Sequence, residues 1–200
     1  MSRTNSRRGA LVVALVVVAS AVLATGVIAG HFQSVDPPSF HQALLTGEIT
    51  QVAVVQTEDG SPGHGIFAQL TQAGHLCLFE APSATSRAHG GACNPVDNPL
   101  NGSALSATLS YDGGPAIGDV TSATLFGLTA RGVARARVLM SDGSSREVKL
   151  RKAKVGSDEF QVFGYRFKKA DLKRGIGPTA IVAFDANGME LGRQPTGIGG

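Results

Sequence analysis

The hydrophobic positions of this chain follow two patterns, one continuous and one interrupted. An uncharged run over residues 10–30 is dominated by Val, Ala and Leu. As a helix it would cover about 30 Å, which is enough to span the hydrocarbon of a bilayer. From residue 49 onwards, short apolar runs alternate with polar and glycine-rich turns. The first pattern predicts a transmembrane anchor or a signal peptide, and the second predicts a mainly β fold.

Basic residues lie close to only one end of the apolar run, and they are Arg3, Arg7 and Arg8. This asymmetry predicts a cytoplasmic basic tail over residues 1–9 and translocation of everything after residue 30. The protein would then be a single-pass protein of the cell membrane with its C-terminal region extracytoplasmic. Secretion after cleavage near Ala29 is the alternative, because Val27-Ile28-Ala29 would suit a signal peptidase. The apolar region is longer than in most signal peptides, which favours the retained anchor.

Residues 31–48 are predicted to form a polar, proline-bearing linker that ends in a short helix, Phe40–Thr46. Ser39 is suited to cap this helix and Gly47 to end it. Strand patterns follow, and residues 49–120 are predicted as a disulfide-containing β region. Its predicted strands are Ile49–Gln56, Ile66–Leu70, His75–Glu80 and Leu105–Tyr111.

The pattern over residues 121–200 is more regular. Asp142-Gly143 and Asn187-Gly188 are dipeptides favoured in two-residue turns, so each predicts a tight β-hairpin. Short strands at this spacing predict an immunoglobulin-like β-sandwich, and whether the region before residue 121 shares that sandwich stays open. The predicted strands are Ala123–Leu128, Val133–Met140, Arg146–Leu150, Phe160–Phe167, Thr179–Phe184 and Met189–Arg193.

Cys77 and Cys93 are the only cysteines of the chain, and both follow the export segment. An even count in an oxidising compartment predicts a disulfide, whereas metal binding would be favoured in a cytosolic chain. The enclosed segment, Leu78–Ala92, begins apolar and becomes glycine-rich, which predicts a strand that leaves the sheet into a loop. A catalytic cysteine would need a partner base and a lowered pKa. His75 and His89 are close to the cysteines in sequence, but their spacing does not favour a catalytic cysteine over the disulfide.

The charges of the chain are polarised along its length. Residues 31–120 hold eight acidic residues and one base, Arg87, which gives −7. Residues 121–200 hold 14 bases and seven acids, which gives +7. The part after residue 30 is therefore neutral as a whole, so the basic isoelectric point does not indicate a nucleic-acid partner. Two interpretations remain: the acidic half faces the basic half within one molecule, or a basic surface meets anionic lipid headgroups or wall polymer.

Basic residues are densest between residues 151 and 174. In a chain half of net charge +7, this density predicts an electrostatic contact with an anionic surface that weakens in salt. Solvated charges without a partner are the alternative interpretation. The candidate contact residues are Arg151, Lys152, Lys154, Arg166, Lys168, Lys169, Lys173 and Arg174.

Sequence motifs of catalysis and of cofactor binding are absent from this chain. There is no phosphate-binding loop and no G-x-S-x-G nucleophile elbow. The histidines lack the spacing of a zinc site, although all of them lie within residues 31–120. We therefore predict no catalytic residue, no metal and no cofactor. The histidines are His31, His41, His64, His75 and His89.

These observations favour a non-enzymatic binding or structural module, held at the cell surface by the N-terminal helix. The alternative is a cell-envelope hydrolase whose site is assembled from carboxylates and histidines of residues 31–120, because such pairs meet only in the fold. A deep pocket with two or more convergent titratable groups in that half would favour the hydrolase.

Several of the strand and turn segments resemble a recurring family. The segments Gly127–Val138, Ser141–Gly143 and Ala183–Gly188, preceded by the cysteine pair, are similar to uncharacterised exported or membrane-anchored proteins of high-GC Gram-positive bacteria. Ala130 stands where that family usually has proline, and Phe184 where it usually has tyrosine. The resemblance implies a membrane-tethered or secreted β module with an immunoglobulin-like C-terminal part, and it implies no known reaction.

Overall fold

The computed structural model describes residues 49–58, 63–86, 88–155 and 157–197. All of them belong to one compact unit, and the chain within these ranges is mainly β, as the sequence predicts. The predicted tail, apolar helix and linker over residues 1–48 lie outside the described residues. Among the described residues, no helix is long and apolar enough to cross a membrane.

Strands account for nearly all the regular structure in the described part of the chain. A 3₁₀ turn over Ile117–Asp119 and a short helix α1 over Lys169–Lys173 are the exceptions. In chain order the strands are β1 (Thr50–Val54), β2 (Gln56–Thr57), β3 (Gly65–Leu70), β4 (His75–Ala81), β5 (Gly90–Pro95), β6 (Leu105–Gly113), β7 (Val120–Thr129), β8 (Arg135–Met140), β9 (Ser145–Val148), β10 (Arg151–Val155), β11 (Asp158–Arg166), β12 (Pro178–Phe184) and β13 (Glu190–Pro195).

The described strands form three sheets. Sheet 1 has the order β1-β3-β4-β5, sheet 2 the order β10-β11-β7-β6, and sheet 3 the order β13-β12-β8-β9. Neighbouring strands along each of these orders are antiparallel, while β2 adds a short parallel pair to β11 in sheet 2. Sheet 2 therefore combines strands from both sides of residue 120.

Sheet 2 is the middle layer of the stack, because its two faces pack into two different cores. Successive side chains of a strand point to opposite faces. Leu125 and Phe163 accordingly join the core shared with sheet 3, while Phe126 and Val162 join the core shared with sheet 1. Burial on both faces explains the nearly continuous apolar runs of β7 and β11, and each such large side chain contributes about 1.5–3 kcal/mol.

The sequence correctly locates both tight hairpins. Gly143 lies between β8 and β9 with φ of 81°, and Gly188 lies between β12 and β13 with φ of 87°. These left-handed conformations are nearly free of strain only for glycine. The same residues therefore explain why the positions of these two turns were predictable.

The segment enclosed by the cysteines differs from the prediction. It does not stay in a loop, because residues from Gly90 onwards return to sheet 1 as β5 and pair with β4. Glycine is required there by close packing: a Cβ on Gly90 would lie 2.5 Å from Ser110 Oγ. Gly90 thus indicates a close approach between β5 and β6 rather than a turn.

Two glutamine side chains join the edges of the stacked sheets. Gln194 of β13 accepts from the backbone N–H of Ala107 and donates to its carbonyl, both at 2.8 Å, which pairs the exposed edge of β6. The side chain of Gln56 bonds the backbone at the end of β9 in a similar way. It accepts from the N–H of Lys149 at 3.1 Å and donates to the carbonyl of Glu147 at 3.5 Å. Each amide occupies backbone groups that an edge strand otherwise leaves open to a further strand.

Candidate functional site

The disulfide predicted from the sequence is confirmed. Cys77 and Cys93 are directly opposite each other on β4 and β5 and are bonded, with their Cα atoms 4.0 Å apart. Cys77 is fully buried on the face of sheet 1 that points away from sheet 2, whereas Cys93 is exposed. The bridge ties the edge strand β5 to the sheet, which is a structural role.

A buried charged cluster joins sheet 1 to sheet 2. Glu80 of β4 is 2% exposed, and its Oε1 accepts a hydrogen bond from Arg166 Nη2 of β11 at 2.6 Å. The same oxygen accepts from Thr124 of β7 at 3.1 Å and lies 3.0 Å from His64 Nδ1. A buried carboxylate must be paired and hydrogen-bonded to remain charged, and these contacts supply both.

His64 is placed against a positive charge as well as a negative one. Its Nδ1 lies 2.7 Å from Arg166 Nη2, and its ring centroid lies 4.9 Å from that of His89. Partial burial lowers the pKa of His64, and the charge of Arg166 lowers it further against the opposing effect of Glu80. His64 is therefore neutral at neutral pH and can accept the hydrogen bond from Arg166.

This pKa shift predicts that acid weakens the fold. Because the folded chain holds the pKa of His64 below its unfolded value of about 6.5, the unfolded chain binds more protons as the pH falls. The stabilisation is complete above that value and is lost as the pH falls through and below it. We expect the urea midpoint of the wild type to drop more between pH 7.5 and pH 5.5 than that of His64→Gln. A matched control, His75→Gln, should behave like the wild type, and equal losses in all three would contradict the prediction.

A second charged cluster lies where β2, β9 and α1 meet. Glu58 accepts a hydrogen bond from the Tyr165 hydroxyl, and its Oε1 lies 3.0 Å from Arg146 Nε. Lys168 Nζ lies 2.7 Å from the other carboxylate oxygen. Burial raises the pKa of Glu58, but the hydrogen bonds from Lys168 and Tyr165 outweigh it, so the pKa lies below its ordinary value. Burial, followed by the hydrogen bond to Glu58, raises the pKa of Tyr165.

The two clusters bear on the polarised charge of the sequence. Glu58 and Glu80 come from the acidic half, and each is paired with bases of the other half. Part of the acidic half therefore does face the basic half within one molecule.

The eight basic residues predicted to contact an anionic surface fall into two groups in the structure. Three of them are paired with acids of the same chain: Arg166 with Glu80, Lys168 with Glu58, and Arg174 with Asp171. The others are exposed and form no ion pair with a described residue. These are Arg151, Lys152 and Lys154 on β10, and Lys169 and Lys173 on α1.

The unpaired bases themselves lie at the two ends of β11. Strand β10 pairs with residues 158–162, at the start of β11, whereas α1 follows the end of that strand. The β10 bases also belong to a charged strand that sequence reasoning did not predict. On β10, Val155 is buried in the core, while Lys152 and Lys154 are exposed. The strand has only five residues, so this alternation is too short to predict a strand from the sequence.

Further bases lie at the β10 end of sheet 2. Arg131, in the turn between β7 and β8, lines a cavity of about 130 Å³ together with Lys152, Phe160, Gln161 and one acid, Glu159. Close by in the fold, the hydrogen bond from Ala134 N to the Phe184 carbonyl at 2.8 Å joins this turn to the end of β12. We call this part of the molecule the loop end. It comprises the β7–β8 turn (residues 130–134), the β12–β13 turn (residues 185–189), the first residue of β8 and the β10 bases.

The structure brings together some of the groups that a hydrolase would need. His64, Glu80 and His89 of the acidic half converge, but Glu80 Oε1 is already occupied by Thr124 and Arg166. Within the described ranges, no three His, Cys, Asp or Glu side chains are arranged to hold a metal ion. Comparisons with protein-family models, with curated proteins and with solved structures find no match for this chain.

Proposed function

We propose that the region after residue 30 is a non-enzymatic binding or structural module on the outer side of the membrane, held there by the N-terminal apolar segment. The observation that carries the proposal is the set of exposed bases on β10 that form no ion pair with a described residue. Arg166 and Lys168 lie against acids, as bases of internal pairing do, whereas Arg151 and Lys152 lie opposite Val162 and Gln161 on β11. Lys154 lies opposite an acid, Glu159, without forming an ion pair with it. The ligand class that fits is an anionic lipid surface or an anionic wall polymer.

We further propose that the C-terminal part is an immunoglobulin-like sandwich that begins at β6, Leu105. The strand orders support this: β6-β7-β11-β10 in one sheet and β9-β8-β12-β13 in the other. If β6 to β8 are lettered A to C and β10 to β13 are lettered D to G, these orders match the A-B-E-D and C-F-G sheets of that fold. Strand β9 is then an additional strand beside C. In this fold the loops cluster at the two ends of the sandwich, and one end serves for binding in antibodies.

The electrostatic contact is tested by sedimenting residues 31–200 with vesicles that contain phosphatidylglycerol. We expect binding at low salt that falls steeply at physiological salt, because the Debye length shortens from about 30 Å to about 8 Å. Arg151→Gln, Lys152→Gln and Lys154→Gln together should weaken binding by about fivefold per charge removed, since each base contributes about 1 kcal/mol.

The matched control keeps the charge and changes the side chain: Arg151→Lys, Lys152→Arg and Lys154→Arg together should bind like the wild type. Soluble polyphosphate, added as a competitor, measures the affinity for an anionic polymer in the same assay. Binding that is absent at both salt concentrations, or is unchanged between them, would overturn the proposed electrostatic contact.

A hydrolase remains a second candidate because His64 and His89 converge beside Glu80. The two candidates are separated by His64→Gln. Loss of turnover of purified wall polymer with intact vesicle binding would favour the hydrolase, and absence of turnover by the wild type would favour the binding module.

A further inference from the structure

The β12–β13 hairpin exposes large apolar side chains. Met189 is 63% exposed and Leu191 is 39% exposed. Only two other large apolar residues within the described ranges are as open to solvent, Val54 and Tyr111, and they lie on other sheets. Met189 and Leu191 are two residues apart on this hairpin, so its tip carries more exposed apolar side chain than any other single turn or strand among the described residues. Apolar side chains gathered at one exposed place are typical of surfaces that meet a partner or a membrane.

This exposure is built into an ordered turn. The Asp185 carboxylate accepts hydrogen bonds from the backbone N–H groups of Asn187 at 2.9 Å and of Met189 at 2.8 Å. Asp185 N in turn donates to the Met189 carbonyl at 3.0 Å. The turn therefore holds the backbone of Met189 in a defined position.

Arginine side chains surround the same turn. The guanidinium of Arg135 lies near the turn, because a Cβ on Gly188 would meet its Nη2 at 3.1 Å. The guanidinium carbons of Arg135 and Arg137 each lie 5.9 Å from the centre of the Phe184 ring, which holds both groups at the base of the hairpin by cation–π attraction. Neither arginine forms an ion pair with a described residue.

Acidic groups are also present at the loop end, but two of them are occupied. The Asp185 carboxylate accepts the turn hydrogen bonds, and Glu190 is paired with Arg193 at 3.0 Å. Asp158 and Glu159 lie at the start of β11. The loop-end bases Arg131, Arg135, Arg151, Lys152 and Lys154 outnumber these four acids by one.

We propose that the loop end rests on an anionic bilayer, with Met189 and Leu191 entering the headgroup region and Arg131, Arg135 and Lys152 beside the lipid phosphates. An apolar tip with bases around it matches the two contributions that hold peripheral proteins on membranes, burial of apolar side chains and attraction to anionic lipid. A soluble anionic polymer would use the bases but would leave the apolar tip in water, so the tip favours lipid.

The inference relies on the proposed function only for the location of the module beside a membrane. Residues 31–48 separate the predicted anchor from the described residues, and that many residues span at most about 60 Å. A linker of this length would keep the described residues near the bilayer in which the anchor is predicted to lie.

The test uses the absence of tryptophan from the chain. Met189→Trp gives the full chain a single tryptophan at the hairpin, and Tyr111→Trp gives a matched control at an exposed site on β6. Both chains are reconstituted into bilayer nanodiscs that contain either phosphatidylglycerol or only phosphatidylcholine. We expect the emission of Trp at position 189 to shift to shorter wavelength in the anionic discs and to be quenched by lipids with brominated acyl chains, while the control stays unquenched.

A charge variant tests the second contribution. Adding Arg135→Gln to Met189→Trp should reduce the quenched fraction by lowering the binding equilibrium about fivefold, as expected for one base near an anionic surface. An emission at position 189 that matches the control in anionic discs would overturn the inference. That result would not affect the proposed salt-dependent binding of residues 31–200 to vesicles. Conversely, if the vesicles do not bind residues 31–200 but Trp at position 189 is quenched, only the proposed contact through the β10 bases is overturned.

Discussion

Replacement of Arg166 by Met is expected to lower the free energy of unfolding by about 3 kcal/mol. Arg166 supplies the strongest contact of Glu80, which is buried between sheets 1 and 2. Removing one partner of a buried pair leaves an uncompensated charge, which costs about 3–5 kcal/mol. We place the loss at the lower end of this range because the Arg166 side chain is itself 21% exposed. Urea unfolding at pH 7.5 measures the change.

The double variant Glu80→Gln, Arg166→Met identifies the cause. If the loss arises from the unpaired carboxylate, neutralising it should recover much of the stability, since replacing both partners of a buried pair is often nearly neutral. Arg193→Met is the matched control, because its partner Glu190 lies on the surface and exposed pairs contribute little. A single variant Arg166→Met as stable as Arg193→Met would contradict the buried ion pair.

Features encoded by neighbouring residues were predictable from the sequence. The turns at Asp142-Gly143 and Asn187-Gly188 are specified by dipeptides whose backbone preferences are local, and both occur where predicted. The cysteine pair was predictable because the chain has only two cysteines and both follow the segment predicted to direct export. The class of the fold follows from the same short-range alternation.

Features that depend on distant residues were not predictable. Glu80 and Arg166 are 86 residues apart, and Gln194 pairs with Ala107 across 87 residues. Nothing in either local pattern indicates the partner, because each contact exists only once the sheets are stacked. The predicted basic region illustrates the consequence: it was continuous in sequence, yet the fold divides it between the two ends of β11.

The hairpin shows a different limit. Met189 occupies a position in the pattern where an apolar residue predicts a buried strand, and the sequence analysis accordingly included it in a strand. In the structure it lies in the turn and is exposed. Exposure of a strand-like apolar residue is therefore visible only in the fold, and it is the observation from which the membrane contact was inferred.

Replacement of both cysteines by alanine is expected to lower the free energy of unfolding by about 3 kcal/mol. The bridge between Cys77 and Cys93 closes a loop of 15 intervening residues, and the chain-entropy model gives about 3 kcal/mol for that size. Alanine is preferred to serine because Cys77 is fully buried and a hydroxyl would be left without a partner. The measurement is urea unfolding of the oxidised wild type and of the double variant under identical conditions.

Chemical reduction provides the control for this prediction. A phosphine reductant should lower the stability of the wild type to near that of Cys77→Ala, Cys93→Ala, and it should have no effect on the double variant. The loss should appear first as faster hydrogen exchange in β5, because this strand lies at the edge of sheet 1 and pairs only with β4 on one side. A wild type whose unfolding midpoint is unchanged by the reductant would show that the pairing of β5 with β4 is maintained without the bridge.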